Sequence, residues 1–148
     1  MLQRSDRRFV HALSREARSI FRRTESCPTF RRHFEKVAEK HHFFAIYCFM
    51  PEHLHMIFLG CHENTHLLQA LEDFKQATGY LLARRYLKTK WEKSFHDRIL
   101  RSKELGAHLR YVLNNPVRRG LVENWREYQF SGAIGLDLEA LLENLATE

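Results

Sequence analysis

A chain of 148 residues with 44% hydrophobic and 28% charged residues is expected to form one soluble domain spanning residues 1–148, burying roughly two thirds of its unfolded surface. No apolar stretch approaches the ~20 residues needed to cross a bilayer. The basic start leads into no apolar core of signal-peptide length, and three cysteines (Cys27, Cys48, Cys61) without a Cys-x-x-Cys pair argue against a secreted disulfide framework, so the expected compartment is the cytoplasm, without membrane contact. The excess of 24 Lys and Arg over 18 Asp and Glu gives a formal charge of +6. That charge permits contact with phosphates, whose neutralisation releases condensed counterions, without requiring it.

In chain order, Phe9-Val10-His11-Ala12-Leu13 reads as a short strand, and the basic segment through Arg22 and Arg23 carries no assignable pattern. Pro28 stands where helices begin, and Phe30, Phe34 and Val37 recur at helical spacing through about Lys40, which predicts a core-facing helix. Apolar runs over 43–50 and 54–59 are separated by Pro51-Glu52, the punctuation of a tight connection between strands. Asn64 or Thr65 is the expected cap of the next helix, in which Leu67, Leu71, Phe74, Thr78 and Leu81 repeat up to about Tyr86. Lys75, Arg84, Arg85, Lys88 and Lys90 occupy its other faces and its end, either as a solvated surface or as a stripe tracking phosphates.

Trp91, Phe95 and Asp97-Arg98-Ile99-Leu100 point to a further short strand. Residues 103–114 read as a helix ended by Pro116 and followed by the basic turn Val117-Arg118-Arg119-Gly120. Trp125, Tyr128 and Phe130 can be read as base-stacking rings, but core packing is the better account of at least two of them. A closing amphipathic helix is expected at about 137–147, with Leu138, Leu141, Leu142 and Leu145 on one side.

His53 and His55 open the strand that follows Pro51-Glu52. Strand side chains alternate faces, so two histidines separated by one residue project from the same side, close enough to grip one cation. Spacing alone leaves open that they are ordinary surface or packed residues.

On a wheel of 100° per residue, Leu105, Leu109, Val112 and Leu113 group within about a third of the circumference, while His108, Tyr111 and Asn115 form a separate polar side. Tyr111 and Asn115 stand one turn apart, so a phenol and an amide oxygen can offer a nucleophile and a metal ligand together. The plainer alternative is a Tyr on the core rim and an Asn closing the helix, and the residue before a proline tends to leave the α region, which leaves the direction of Asn115 open.

The motif Met50-Pro51-Glu52-His53-Leu54-His55, then Trp91 and Phe95-His96-Asp97, then Tyr111-Val112-Leu113-Asn114-Asn115-Pro116-Val117-Arg118-Arg119-Gly120-Leu121-Val122 resemble the single-tyrosine (Y1, IS200-like) transposases of the HUH class. Within that class, the Asn-Pro-Val stretch most resembles the branch associated with repetitive extragenic palindromes (REP). The resemblance runs from about Phe9 to Ala133, with Glu52 standing where Asn or Asp is commoner.

The resemblance implies an α+β, ferredoxin-like (RRM-like) antiparallel sheet with helices packed on it. It also implies cutting and rejoining of single-stranded DNA beside hairpins through a 5′-phosphotyrosine link. Tyr111 would then be the nucleophile, His53, His55 and Asn115 the ligands of a divalent ion, Mg²⁺ or Mn²⁺, and single-stranded or hairpin DNA the partner. Lys75, Arg84, Arg85, Arg118 and Arg119 are the expected DNA contacts. Monomer and homodimer, and a tyrosine acting in cis or in trans, remain open at this level. Rival readings are a zinc cluster of Cys61, His62 and His66, a domesticated non-catalytic DNA-binding protein, and a metal-dependent nuclease using water.

Overall fold

The computed structural model describes residues 7–13, 26–51, 53–61, 65–85 and 96–147. The strands are β1 (Arg7–Leu13), β2 (Phe43–Phe49), β3 (His53–Gly60), β4 (His96–Ile99) and β5 (Ser131–Ile134), of which β2 and β3 are continuous apolar runs apart from the two histidines that open β3. The segments with helical periodicity form α1 (Ser26–His41), α2 (Leu67–Arg85), α3 (Leu105–Arg118) and α4 (Leu138–Ala146). All strand pairings are antiparallel, in the order β4-β1-β3-β2-β5. The unit β1-α1-β2-β3-α2-β4 with this order is the expected ferredoxin-like α+β arrangement, extended by β5 at the edge beside β2. Among the described residues, no helix is long and apolar enough to cross a membrane.

β3 is the central strand and is buried along its whole length. On one face Leu54, Met56 and Phe58 join Phe43, Ala45, Tyr47 and Phe49 of β2 beneath α1 and α2. There the Phe34 ring lies 5.5 Å from Phe58 and 5.0 Å from Phe74. On the other face Ile57 and Leu59 join Ile46 and Cys48 of β2 beneath Leu105, Leu109, Val112 and Leu113 of α3, and the leucines of α4 border this second core. A strand covered on both sides needs apolar residues at successive positions, which is why 54–59 shows no alternation.

Three expectations change in the structure. α3 runs through Pro116 to Arg118 and does not stop before the proline. Pro116 lacks one N–H in the last turn, and its own burial with the four apolar residues of the same stripe holds the turn in place. The helix ends instead at Gly120 (φ 72°), where Leu121 N–H donates to Pro116 O (2.9 Å) and Gly120 N–H to Val117 O (3.0 Å), the paired bonds of a Schellman stop. The second change is the start of α2 at Leu67, two residues after the expected cap Thr65, whose hydroxyl donates to His42 O (3.0 Å) and ties this segment to the turn after α1.

The third change is β5, which has no forerunner in the sequence reading. Three of its four residues are small and carry little pattern, and a Cβ at Gly132 would stand 2.9 Å from the hydroxyl of the buried Tyr47. Arg22, Arg23, Glu52, His62, Asn64, Tyr86, Lys88, Lys90, Trp91 and Phe95 lie outside the described residues.

α1 and α2 are clamped by Asp73, which accepts from His41 Nε2 (2.7 Å), Lys40 Nζ (3.0 Å) and Gln69 Nε2 (3.3 Å). The hydrogen bond from His41, then those from Lys40 and Gln69, hold its carboxyl down at about 2. A depressed carboxylate contributes stability that is complete above the ordinary value near 4 and is lost as pH falls through the folded value. Asp73→Asn is therefore expected to lower the Tm at neutral pH, with the gap from the wild-type protein closing between about pH 4 and about pH 2. Thermal unfolding followed by circular dichroism across that window checks it, and a gap that does not vary with pH would refute the clamp.

Candidate active site

The alternation of β3 decides which way the two histidines face. His53 and His55 share parity with Ile57 and Leu59, so they project toward α3, away from α1 and α2. Both are buried, His55 to 2% exposure. Their Nε2 atoms lie 3.1 Å apart, and the rings meet edge to face with centroids 4.8 Å apart. In the sheet register, His55 stands opposite Cys48 of β2 and His11 of β1, and His11 stands opposite His96 of β4. The sequence reading assigned no role to His11 or His96, since only the register places them in one row.

α3 brings the other groups to the same point. Asn115 falls about 60° from Val112 on the wheel, at the edge of the apolar stripe, and continuation of the helix through Pro116 keeps it helical. It is buried to 6% exposure, and its amide contacts His55 Nε2. Tyr111, one turn earlier and 46% exposed, sets its ring 5.9 Å from that of His55 at an interplanar angle of 87°. The two motifs, about sixty residues apart in sequence, thus meet within one chain.

Two imidazole nitrogens and an amide make a donor set suited to a divalent ion, since an Asn amide can present its oxygen in place of its nitrogen by a half-turn. Neighbouring nitrogen ligands about 2.0–2.1 Å from one ion lie roughly 2.9–3.4 Å apart, and the 3.1 Å between His53 and His55 falls in that range. Of the alternative zinc cluster, Cys61 and His66 are exposed and His62 lies outside the described residues.

The basic residues expected to contact DNA divide between two layers. Arg118 ends α3 and Arg119 follows as its C-cap residue, and the Arg118 guanidinium carbon lies 3.9 Å from the centre of the Tyr111 ring. Lys75, Arg84 and Arg85 belong to α2 on the opposite side of the sheet, where Arg84 donates to the Tyr80 hydroxyl (2.8 Å). The five therefore do not form one stripe. Tyr128 is buried and donates to Phe49 O (2.5 Å), while Phe49 N–H donates to Phe130 O (2.8 Å). These bonds tie residues 128–130 to the end of β2. Trp125 and Phe130 also pack against the second core.

No family model and no curated protein matches the sequence. Among solved structures, the fold is similar to that of a REP-associated tyrosine transposase bound to a REP hairpin, with a TM-score of 0.73 and 22% identity over 88% of this chain and 78% of that one. It is also similar to a protein described as a transposase from Deinococcus radiodurans R1, with a TM-score of 0.53 and 11% identity over 73% of this chain and 88% of that one. At these identities the likeness establishes the fold.

Mn²⁺ or Zn²⁺ added to the protein is expected to perturb the His53 and His55 imidazole resonances together. His53→Ala and His55→Ala should each abolish this response. Asn115→Ala should weaken binding less, because a neutral amide oxygen is the poorest donor of the three. Independent titration of the two rings, or binding that survives either histidine change at full affinity, would show that the pair is only structural.

Proposed function

We propose that this protein is an HUH-class tyrosine transposase of the REP-associated kind, which nicks and rejoins single-stranded DNA at hairpin or palindromic repeats. The observation that carries the proposal is the meeting of His53, His55, Asn115 and Tyr111 at one point between β3 and α3. The fold it shares with a hairpin-bound tyrosine transposase supports the same reading.

His53, His55 and Asn115 would hold a divalent ion, Mg²⁺ or Mn²⁺, which would supply charge neutralisation for the phosphoryl transfer. Tyr111 stands at the solvent side of this buried group, so a DNA strand can reach it without entering the core. Its oxygen attacks phosphorus and gives up the phenolic proton. The bond from phosphorus to the 3′-oxygen breaks, and that oxygen takes a proton to leave as a 3′-hydroxyl. The 5′ side of the cut remains as a phosphate ester of Tyr111. Attack by a 3′-hydroxyl on this ester reverses the chemistry and joins strands, so no nucleoside triphosphate is needed. The phosphate-cradling Gly-x-x-x-x-Gly-Lys loop is accordingly absent from the sequence.

The net charge of +6 favours a polyanionic partner, and affinity for hairpin DNA should fall steeply with salt. The test is incubation with a panel of hairpin-bearing single strands and Mn²⁺, followed by denaturing electrophoresis. The expected result is a protein band shifted by covalently attached DNA and lost on chelation. Tyr111→Phe removes one oxygen and keeps the ring, so it should abolish both the adduct and nicking while leaving hairpin binding within a few-fold. Nicking with no adduct in the wild-type protein would transfer the nucleophile's role to water. Full nicking by Tyr111→Phe would remove Tyr111 from the mechanism.

A further inference from the structure

A nucleophile on a half-exposed helix face has rotamer freedom that must be removed before an in-line attack, and positioning of this kind supplies much of the rate of such reactions. The group that removes it here is on the same helix. Arg118 lies seven residues after Tyr111, two turns along one stripe and about 10 Å down the axis. Helical side chains lean toward the N-terminus, so the long Arg118 side chain folds back up the stripe. Its guanidinium carbon reaches 3.9 Å from the centre of the Tyr111 ring, and an Nη donates to the Tyr111 carbonyl at 3.4 Å. With His55 meeting the ring edge to face, Tyr111 has a neighbour on two sides.

We infer that Arg118 is a positioning residue that holds the Tyr111 ring in its attacking orientation by stacking on it, rather than chiefly a contact to the DNA backbone. This inference rests on the nicking function proposed above. Arg118 reaches the tyrosine only because α3 continues through Pro116 and stops at Gly120. A helix ended before the proline would have moved Arg118 off the Tyr111 stripe. The planar guanidinium is what stacks, and a lysine ammonium at the same place keeps the charge but not the plane.

That difference defines the test. In Arg118→Lys, affinity for a hairpin-bearing oligonucleotide should stay within about two-fold of wild type with an unchanged salt slope. The rate of adduct formation at saturating DNA should fall at least ten-fold. Relaxation of ¹³C-labelled tyrosine in the DNA-free protein should register a more mobile Tyr111 ring. Arg118→Met should lose rate to a similar extent.

Wild-type rate and wild-type ring mobility in Arg118→Lys would overturn the inference. So would a loss of about one unit of salt slope in Arg118→Met that Arg118→Lys restores together with full rate, the signature of a plain phosphate contact. Failure of the wild-type protein to form any adduct would count against the nicking function itself, while ring relaxation would still decide whether Arg118 clamps Tyr111.

Discussion

The arrangement depends on one constraint: β3 has no face open to water. It is the middle strand of five, with α1 and α2 on one side and α3 on the other, so each of its side chains belongs to one of two separate cores. The period of two then sorts the strand without exception. Leu54, Met56 and Phe58 go to the first core, Ile57 and Leu59 go to the second, and by the same parity His53 and His55 face the second side. A slip of one residue in register would turn both histidines toward the phenylalanine cluster around Phe34, where they would be buried without the polar groups of α3. The aromatic packing of the first core is therefore also what fixes the orientation of the histidine pair.

α3 answers that constraint from the other side. Its apolar stripe is wide enough to seat the helix on the sheet, and its edges carry the polar groups of the candidate site: Asn115 on the buried edge, Tyr111 and Arg118 toward solvent. Under the proposed function, the gradation from buried Asn115 to exposed Tyr111 suits a reaction on a polymer, because a DNA strand can approach Tyr111 while the histidines stay shielded. Pro116 contributes to this geometry, since burial of its ring helps to press the last turn onto the second core.

Charge follows the same local logic. The net +6 is not spread evenly, since Arg31 pairs with Glu35 (2.8 Å) and Arg126 makes two bonds to Glu139 (2.8 and 3.0 Å), joining the turn before β5 to α4. Such exposed pairs add little stability, but they offset part of the positive charge locally. The cations that matter to the candidate site are the few near Tyr111, and the basic residues of α2 lie across the sheet from it.

The sequence by itself determined most of the elements, the ferredoxin-like order that the family resemblance implied, and the residues that converge. Apolar runs and helical spacing are local signals, and the His-x-His and Tyr-x-x-x-Asn spacings are fixed by strand and helix periods wherever those elements sit. The tertiary structure decided three other things. It carried α3 past Pro116, because burial of the whole stripe outweighs one missing hydrogen bond. It recruited β5, whose residues have little strand signal of their own, to the edge of the sheet beside β2. It also divided the basic residues between two layers, because which side of a sheet a helix covers depends on chain crossings that no local spacing encodes.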